Sequence, residues 1–248
     1  MAISEKYFKE KFEGKSFTVE EVSKTLDISI SNVYSIIRRL LLSKEIVKIA
    51  PKTYKFYEVK KIKPSKEIED LRKFLLENET REFKFTGLCV LESFLHHVPF
   101  VLVYHLFVEK GSGEDIIKKL EEHSKEIIIV PELSSKELSM IIDKTNKQKI
   151  LIVKERSYFK YSKDGLASPE GAFVDLFFEI TRGKIPYFET DLNEIIKIMV
   201  HNNLINFSML INYAHDRKID NEVIDILKGI SQEINIPKEV SKWISKNT

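Results

Sequence analysis

Apolar residues recur at helical spacing through two short segments near the start of the chain. Val19, Val22 and Leu26 give the first an apolar face, and Val33, Ile36, Ile37, Leu40 and Leu41 define a buried stripe on the second. Thr18 marks the start of the first helix. Its hydroxyl can accept a first-turn amide, and Glu21 can reach back to complete a capping box. Asp27-Ile28-Ser29 reads as a short turn, with Ser29 as a second cap. The period then changes from 3.6 to 2. Ile46-Val47-Lys48-Ile49 and Tyr54-Lys55-Phe56-Tyr57 alternate apolar with basic or aromatic residues, as half-buried strands do. Ala50 to Thr53 is the turn between them, punctuated by Pro51 and carrying Lys52 at its tip. Met1 to Phe12 reads as a leading helix.

Two helices joined by a short turn and followed by a two-stranded wing predict a winged helix-turn-helix over residues 1–64. The second helix carries Ser31, Asn32, Tyr34, Ser35, Arg38 and Arg39 opposite its apolar stripe. The first residues of a recognition helix reach base edges, so Ser29, Ser31, Asn32, Tyr34 and Ser35 are candidate base or sugar contacts. Arg38 and Arg39 suit phosphate. Lys48, Lys52 and Lys55 on the wing are candidates for flanking phosphates. A helical module that binds protein instead of DNA is the bland reading of the same pattern.

Charge bears on that choice. Residues 1–64 hold 14 Lys+Arg against 8 Asp+Glu, a net +6, whereas residues 65–248 hold 26 against 30, a net −4. A basic module on an acidic body is the footprint of a nucleic-acid binder, although a solvated lysine-rich face produces a similar excess.

Farther along, the pattern predicts a linker at Lys60 to Ser65 and a bridging helix through Ile68, Leu71, Leu75 and Leu76, within residues 65–82. An α/β-mixed domain follows over 83–248. Its predicted elements are an apolar helix at Leu88 to Leu95, a strand at Phe100 to Val108 and a helix at Glu114 to His123. Next come an isoleucine-rich strand at Glu126 to Val130, buried on both faces, a helix at Lys136 to Thr145 and a strand at Lys149 to Lys154. Tyr158 to Tyr161 reads as an edge hairpin. Ser168 caps a helix whose first position is Pro169 and whose stripe is Ala172, Phe173, Leu176, Phe177 and Ile180. A helical tail closes the domain at Leu192 to Asn202, Phe207 to Asp216, Asn221 to Glu233 and Lys238 to Ser245. The fold class is therefore α+β.

With 43% hydrophobic and 31% charged residues, the chain can build an ordinary core. A single cysteine, Cys89, excludes an internal disulfide framework and fits a reducing cytoplasm. No apolar leader follows Met1, and the longest apolar run, Val98 to Val108, is too short to span a bilayer. No membrane association and a cytoplasmic location are the expectations.

Other constellations are weaker. His96, His97 and His105 lack a completing ligand set, so no metal is expected. Gly111-Ser112-Gly113 before a helix could cradle an anion, but it matches no phosphate-binding fingerprint. Glu82, Lys84, Asp115 and Glu170 could be read as a scattered nuclease set, which requires convergence on a cation. Cys89 sits in an apolar context and reads as a structural thiol, and Trp243 as a packing residue on the last helix.

The order of motifs also carries a resemblance. After the wing come "FTGLCVLESFL" (Phe85 to Leu95), a strand-helix-strand middle, "LASPEGAFVDLFFEI" (Leu166 to Ile180) and terminal helices. This resembles the AbiEi family of antitoxins from abortive-infection, type IV toxin–antitoxin systems. Gly171 follows Pro-Glu where that family typically has an arginine, which marks a divergent branch. The resemblance implies a winged helix that binds and represses its own operator. It also implies a C-terminal domain that counteracts a nucleotidyltransferase-like toxin. The expectation is a sequence-specific double-stranded DNA-binding regulator without enzymatic activity or cofactor, with a homodimer on DNA as one arrangement. A winged-helix-guided metal-dependent nuclease and a protein-binding adaptor are the alternatives.

Overall fold

A computed structural model describes residues 5–12, 15–42, 46–50, 52–56, 63–95, 99–146, 148–185, 187, 189–202 and 204–234. Helices and two sheets share the chain, which is mixed α and β, and its contacts divide it into two units, Met1–Lys60 and Lys61–Thr248. The expected helix at Lys238 to Ser245, together with Trp243, His96, His97 and Tyr57, lies outside the described residues.

In the first unit the order is α1 (Glu5–Phe12), β1 (Ser16–Thr18), α2 (Val19–Leu26), α3 (Ile30–Leu42), β2 (Ile46–Ala50) and β3 (Thr53–Phe56). The capping box forms as expected. The Thr18 backbone N–H donates to Glu21 Oε2 at 2.7 Å, and the Glu21 N–H donates to Thr18 Oγ1 at 3.2 Å. Asp27 closes α2 in the left-handed region at φ 51°, and Ser23 Oγ donates to the Ile28 carbonyl at 2.6 Å, so the turn into α3 is held from both sides. The three strands pair antiparallel in the order β1-β3-β2, with Phe17 opposite Tyr54 and Ile46 opposite Phe56. Strand β1 was not expected, because its three residues run directly into the cap at Thr18. It matters to the core. Phe17 places its ring 5.3 Å from Phe8, 5.2 Å from Phe12 and 5.8 Å from Phe56, an aromatic cluster that binds α1 to the sheet. Val33, Ile36, Ile37 and Leu40 are buried, but Leu41 is exposed and does not extend the stripe. It keeps the spacing from Ile37 yet lies to the side of the line these four define.

The second unit opens with α4 (Lys66–Asn78), expected as a bridge, which buries Ile68, Leu71 and Leu75 in this unit's own core. There follow β4 (Phe83–Thr86), α5 (Leu88–Leu91) with a 3-10 turn at Glu92–Phe94, β5 (Leu102–Glu109), α6 (Gly113–His123), β6 (Ile128–Pro131), α7 (Ser135–Lys144) and β7 (Lys149–Arg156). Next come β8 (Ser162–Lys163), β9 (Leu166–Ala167), α8 (Pro169–Thr181), α9 (Glu189–His201), α10 (Phe207–Asp216) and α11 (Asp220–Ile230). The sheet order is β6-β7-β5-β4-β9-β8. β5, β7 and β6 run parallel, β4 pairs antiparallel with β5, and β8 and β9 form the hairpin at the far edge.

Two expectations need correction here. β6 is an edge strand with Ile128 and Val130 only half-buried, because only β7 pairs with it. The hairpin falls at 162–167 rather than at Tyr158 to Tyr161, because Asp164 and Gly165, both at positive φ, supply the turn. A β-carbon on Gly165 would come within 2.3 Å of the Phe83 ring, so that corner accepts no larger residue.

α8 packs against β4, β9, α5, α9 and α10. Ser168 Oγ accepts the Gly171 N–H at 3.1 Å, and Pro169 occupies the first helical position, where a missing amide costs nothing. Burial extends beyond the expected stripe to Glu170, Gly171, Val174, Asp175 and Glu179.

Candidate nucleic-acid interface

α3 begins where Ser29 stops the turn. Ser29 Oγ accepts the Asn32 N–H at 3.3 Å and its carbonyl accepts the Val33 N–H at 3.1 Å. Ser29 is thus engaged as the helix cap. Beyond it, Ser31, Asn32, Tyr34, Ser35, Arg38 and Arg39 are all exposed, while Val33, Ile36, Ile37 and Leu40 hold the opposite side in the core. Ser35 Oγ donates to the Ser31 carbonyl at 3.1 Å and keeps its lone pairs outward. The two serines stand one turn apart and carry short side chains, so a partner can approach the helix closely there. Arg38 has no ion-pair partner among the described residues.

The β2–β3 hairpin brings in the remaining candidates unequally. Lys52 sits in the turn at φ 57° with Nζ 3.3 Å from Glu20 Oε1 on the first turn of α2. Both side chains are at least half exposed, so this pair is weak, screened by salt and open to exchange for a phosphate. Lys48 stands opposite Tyr54 and Lys55 opposite Val47 in the sheet register. The side chains of Lys48 and Lys55 lie outside the described residues.

Asp115, Glu170 and Lys84, considered as parts of a catalytic set, are drawn to separate partners. The Glu82 N–H donates to Glu109 Oε1 at 3.0 Å, Asp115 pairs with Arg81 and Lys119, and Glu170 Oε1 accepts the Asn206 N–H at 2.7 Å. Lys84 is buried against Asp175. Among the described residues no group of three or more His, Cys, Asp or Glu is placed to hold a metal ion. The N-terminus of α6, behind Gly111-Ser112-Gly113, is already occupied. Glu155 Oε1 accepts the Gly113 N–H at 3.0 Å, and the amides of Gly111 and Gly113 hold the Glu155 carboxyl below its ordinary range. Cys89 is fully buried and its Sγ–H donates to the His105 carbonyl at 3.5 Å. Burial pushes its thiol up to about 12, as befits an inert side chain.

Sequence reasoning missed a charged seam inside the second unit. Lys84 and Thr86 on β4 face α8. Asp175 accepts from Thr86 Oγ1 at 2.7 Å and from the Tyr213 hydroxyl at 2.7 Å, with Lys84 Nζ at 3.0 Å. Lys84 Nζ also donates to the Tyr213 hydroxyl at 3.0 Å. One helical turn along, Glu179 accepts from Lys154 Nζ at 2.6 Å. Lys154 also lies 3.5 Å from Glu132, which receives Arg156 at 3.1 Å. Burial lowers the Lys154 pKa, and Glu179 opposes that shift. His105, beside Thr86 in the register, has a buried Nε2 with no hydrogen-bond partner, and burial, aided by Lys154, pushes its pKa down to about 3. The signal for this seam was the i, i+4 pair Asp175 and Glu179 inside an otherwise apolar helix.

Together these features define a mixed α/β protein that presents polar side chains on one helix of its first unit and buries a charged seam in its second. The chain belongs to a family described as a family of unknown function (DUF6577), whose model matches residues 32–233. No curated protein matches it. Among the described residues, no helix is long and apolar enough to cross a membrane.

Proposed function

We propose that the first unit is a winged helix-turn-helix and that the protein is a sequence-specific double-stranded DNA-binding transcriptional regulator. The observation that carries this reading is the outward side of α3. It starts behind a cap, presents Ser31, Asn32 and Ser35 first, and places Arg38 and Arg39 farther along. Polar groups near the helix start suit base edges, and the arginines suit phosphate. The net +6 of residues 1–64 supports the same partner. The role is regulatory and non-enzymatic, exercised in the cytoplasm. The resemblance to AbiEi antitoxins extends it to repression of the chain's own operon and to neutralisation of a nucleotidyltransferase-like toxin.

The test is fluorescence anisotropy of the full-length protein on its own upstream DNA and on a scrambled duplex, across a salt series. Tighter binding to the upstream DNA, weakened by salt and by Arg38→Ala, is the expected result. Absence of binding to either duplex at low salt would overturn the proposal in favour of a protein-binding adaptor. Chelator-sensitive cutting of either duplex with Mg²⁺ would replace it with a nuclease.

A further inference from the structure

α3 carries more exposed apolar surface than hydrogen bonding and phosphate contact require. Eight large hydrophobic residues are exposed among the described residues, and three of them, Ile30, Tyr34 and Leu41, stand on this helix. Scattered exposed hydrophobics are ordinary and need no explanation. Ile30 and Tyr34 are not scattered. They are 50% and 43% exposed, lie one turn apart at the start of α3, and flank Ser31 and Ser35. Leu41 lies at the other end of the helix and is not part of this pair.

The neighbours select the occupant. Arg38 follows Tyr34 by one further turn and has no ion-pair partner among the described residues. A second copy of the chain docked on this side would bring its own arginines toward Arg38 and Arg39. A polyanion that also offers small apolar groups suits both features. The major groove meets that description, because each thymine displays a C5-methyl group there between the phosphates and the base edges.

We propose that Ile30 and Tyr34 contact thymine methyl groups and make α3 select T·A pairs beside its first turns. This rests on the DNA-binding reading and adds to it the class of base pair recognised. The serines beside the two side chains, one position farther along in each turn, keep the approach close, so the apolar atoms reach the methyl groups without displacing the helix from the groove.

The experiment starts from duplexes that the full-length protein enriches from a random library. Each thymine of the enriched site is then replaced in turn by deoxyuridine, which removes the methyl and leaves base pairing intact. Replacement at one or two positions is expected to weaken binding about fourfold each, the scale of burying one methylene-sized group. Ile30→Ala and Tyr34→Ala, both at exposed positions, are expected to bind more weakly and each to lose the sensitivity at one of those positions. Sequence-specific binding that tolerates deoxyuridine everywhere would overturn the thymine assignment and leave the DNA-binding proposal standing. So would a deoxyuridine penalty that persists unchanged in both alanine variants. Failure to bind any duplex at low salt would overturn both proposals.

Discussion

α3 and α8 are each 13 residues long and each begins behind a serine cap, yet they dispose of their polar residues in opposite ways. On α3 the polar side chains beyond the cap face outward, and Val33, Ile36, Ile37 and Leu40 are buried in the core of the first unit. On α8, Glu170, Asp175 and Glu179 are buried and matched to an amide, to hydroxyls and to lysines from the sheet. The contrast separates two uses of charge. A buried carboxylate has lost its water and depends on its partners, so it belongs to the structure. The outward residues of α3 keep their water, and the proposed interface is built on them.

The strongest way to break this comparison is to remove Asp175. Asp175→Ala leaves Lys84 buried without its carboxylate and should cost about 3–5 kcal/mol of stability in denaturant titration. Adding Lys84→Met should restore only part of the loss, since the buried Thr86 and Tyr213 hydroxyls still lack the carboxylate that accepted from them. A loss below about 0.5 kcal/mol, the range of an ordinary surface change, would mean that the seam contributes nothing.

Acid should find the same seam. His105 is neutral in the fold down to about pH 3 but protonates near 6.5 when unfolded. The unfolded chain therefore binds more protons between those limits, and stability falls as pH drops through that window. The loss is at most about 1.4 kcal/mol per pH unit. Glu79, which Arg81 holds at about 2, and Glu132, held as low against burial by its arginine and lysine partners, start to lose their contributions about one unit above their ordinary 4.5. Stability measured between about pH 6.5 and 5.5 thus reports chiefly the histidine, and His105→Phe should flatten that slope.

Smaller effects sharpen the other side of the contrast. Thr18→Ala removes the capping box of α2 and should cost about 1 kcal/mol, read as a shift of the first unit's thermal transition. Arg38→Ala should leave stability within about 0.5 kcal/mol of the parent. The same variant should lower the slope of log affinity against log salt by about one. If Arg38→Ala destabilised the protein as much as Thr18→Ala, the outward side of α3 would be structural after all.

The first unit was largely legible in the sequence because its determinants are local. Thr18 and Glu21 are three residues apart, and the stripe from Val33 to Leu40 lies within one helix. The hairpin turn around Lys52 is equally local. What escaped was β1, whose pairing with β3 joins Ser16 to Lys55 across the whole unit. Distance explains the seam as well. Thr86 meets Asp175 across 89 positions and Lys84 meets Tyr213 across 129, and no periodicity records such pairings. The proposed interface residues were nameable beforehand, but the exposure of Ile30 and Leu41 was not. Helical spacing alone gives Leu41 a place beside Ile37, and only packing decides that it stays outside.

The placement of Tyr213 bears on the order in which the protein is made. Asp175 and Lys84 both bond its hydroxyl, and the start of α10 depends in turn on Glu170, which accepts the Asn206 N–H. Synthesis delivers the sheet and α8 well before α10. A nascent chain that has emerged only as far as α9 therefore holds a lysine and a carboxylate whose shared hydroxyl partner is still in the ribosome. Closure of the interior waits for Tyr213 to emerge, so the second unit completes its fold late, and α8 and α10 should gain protection from hydrogen exchange together.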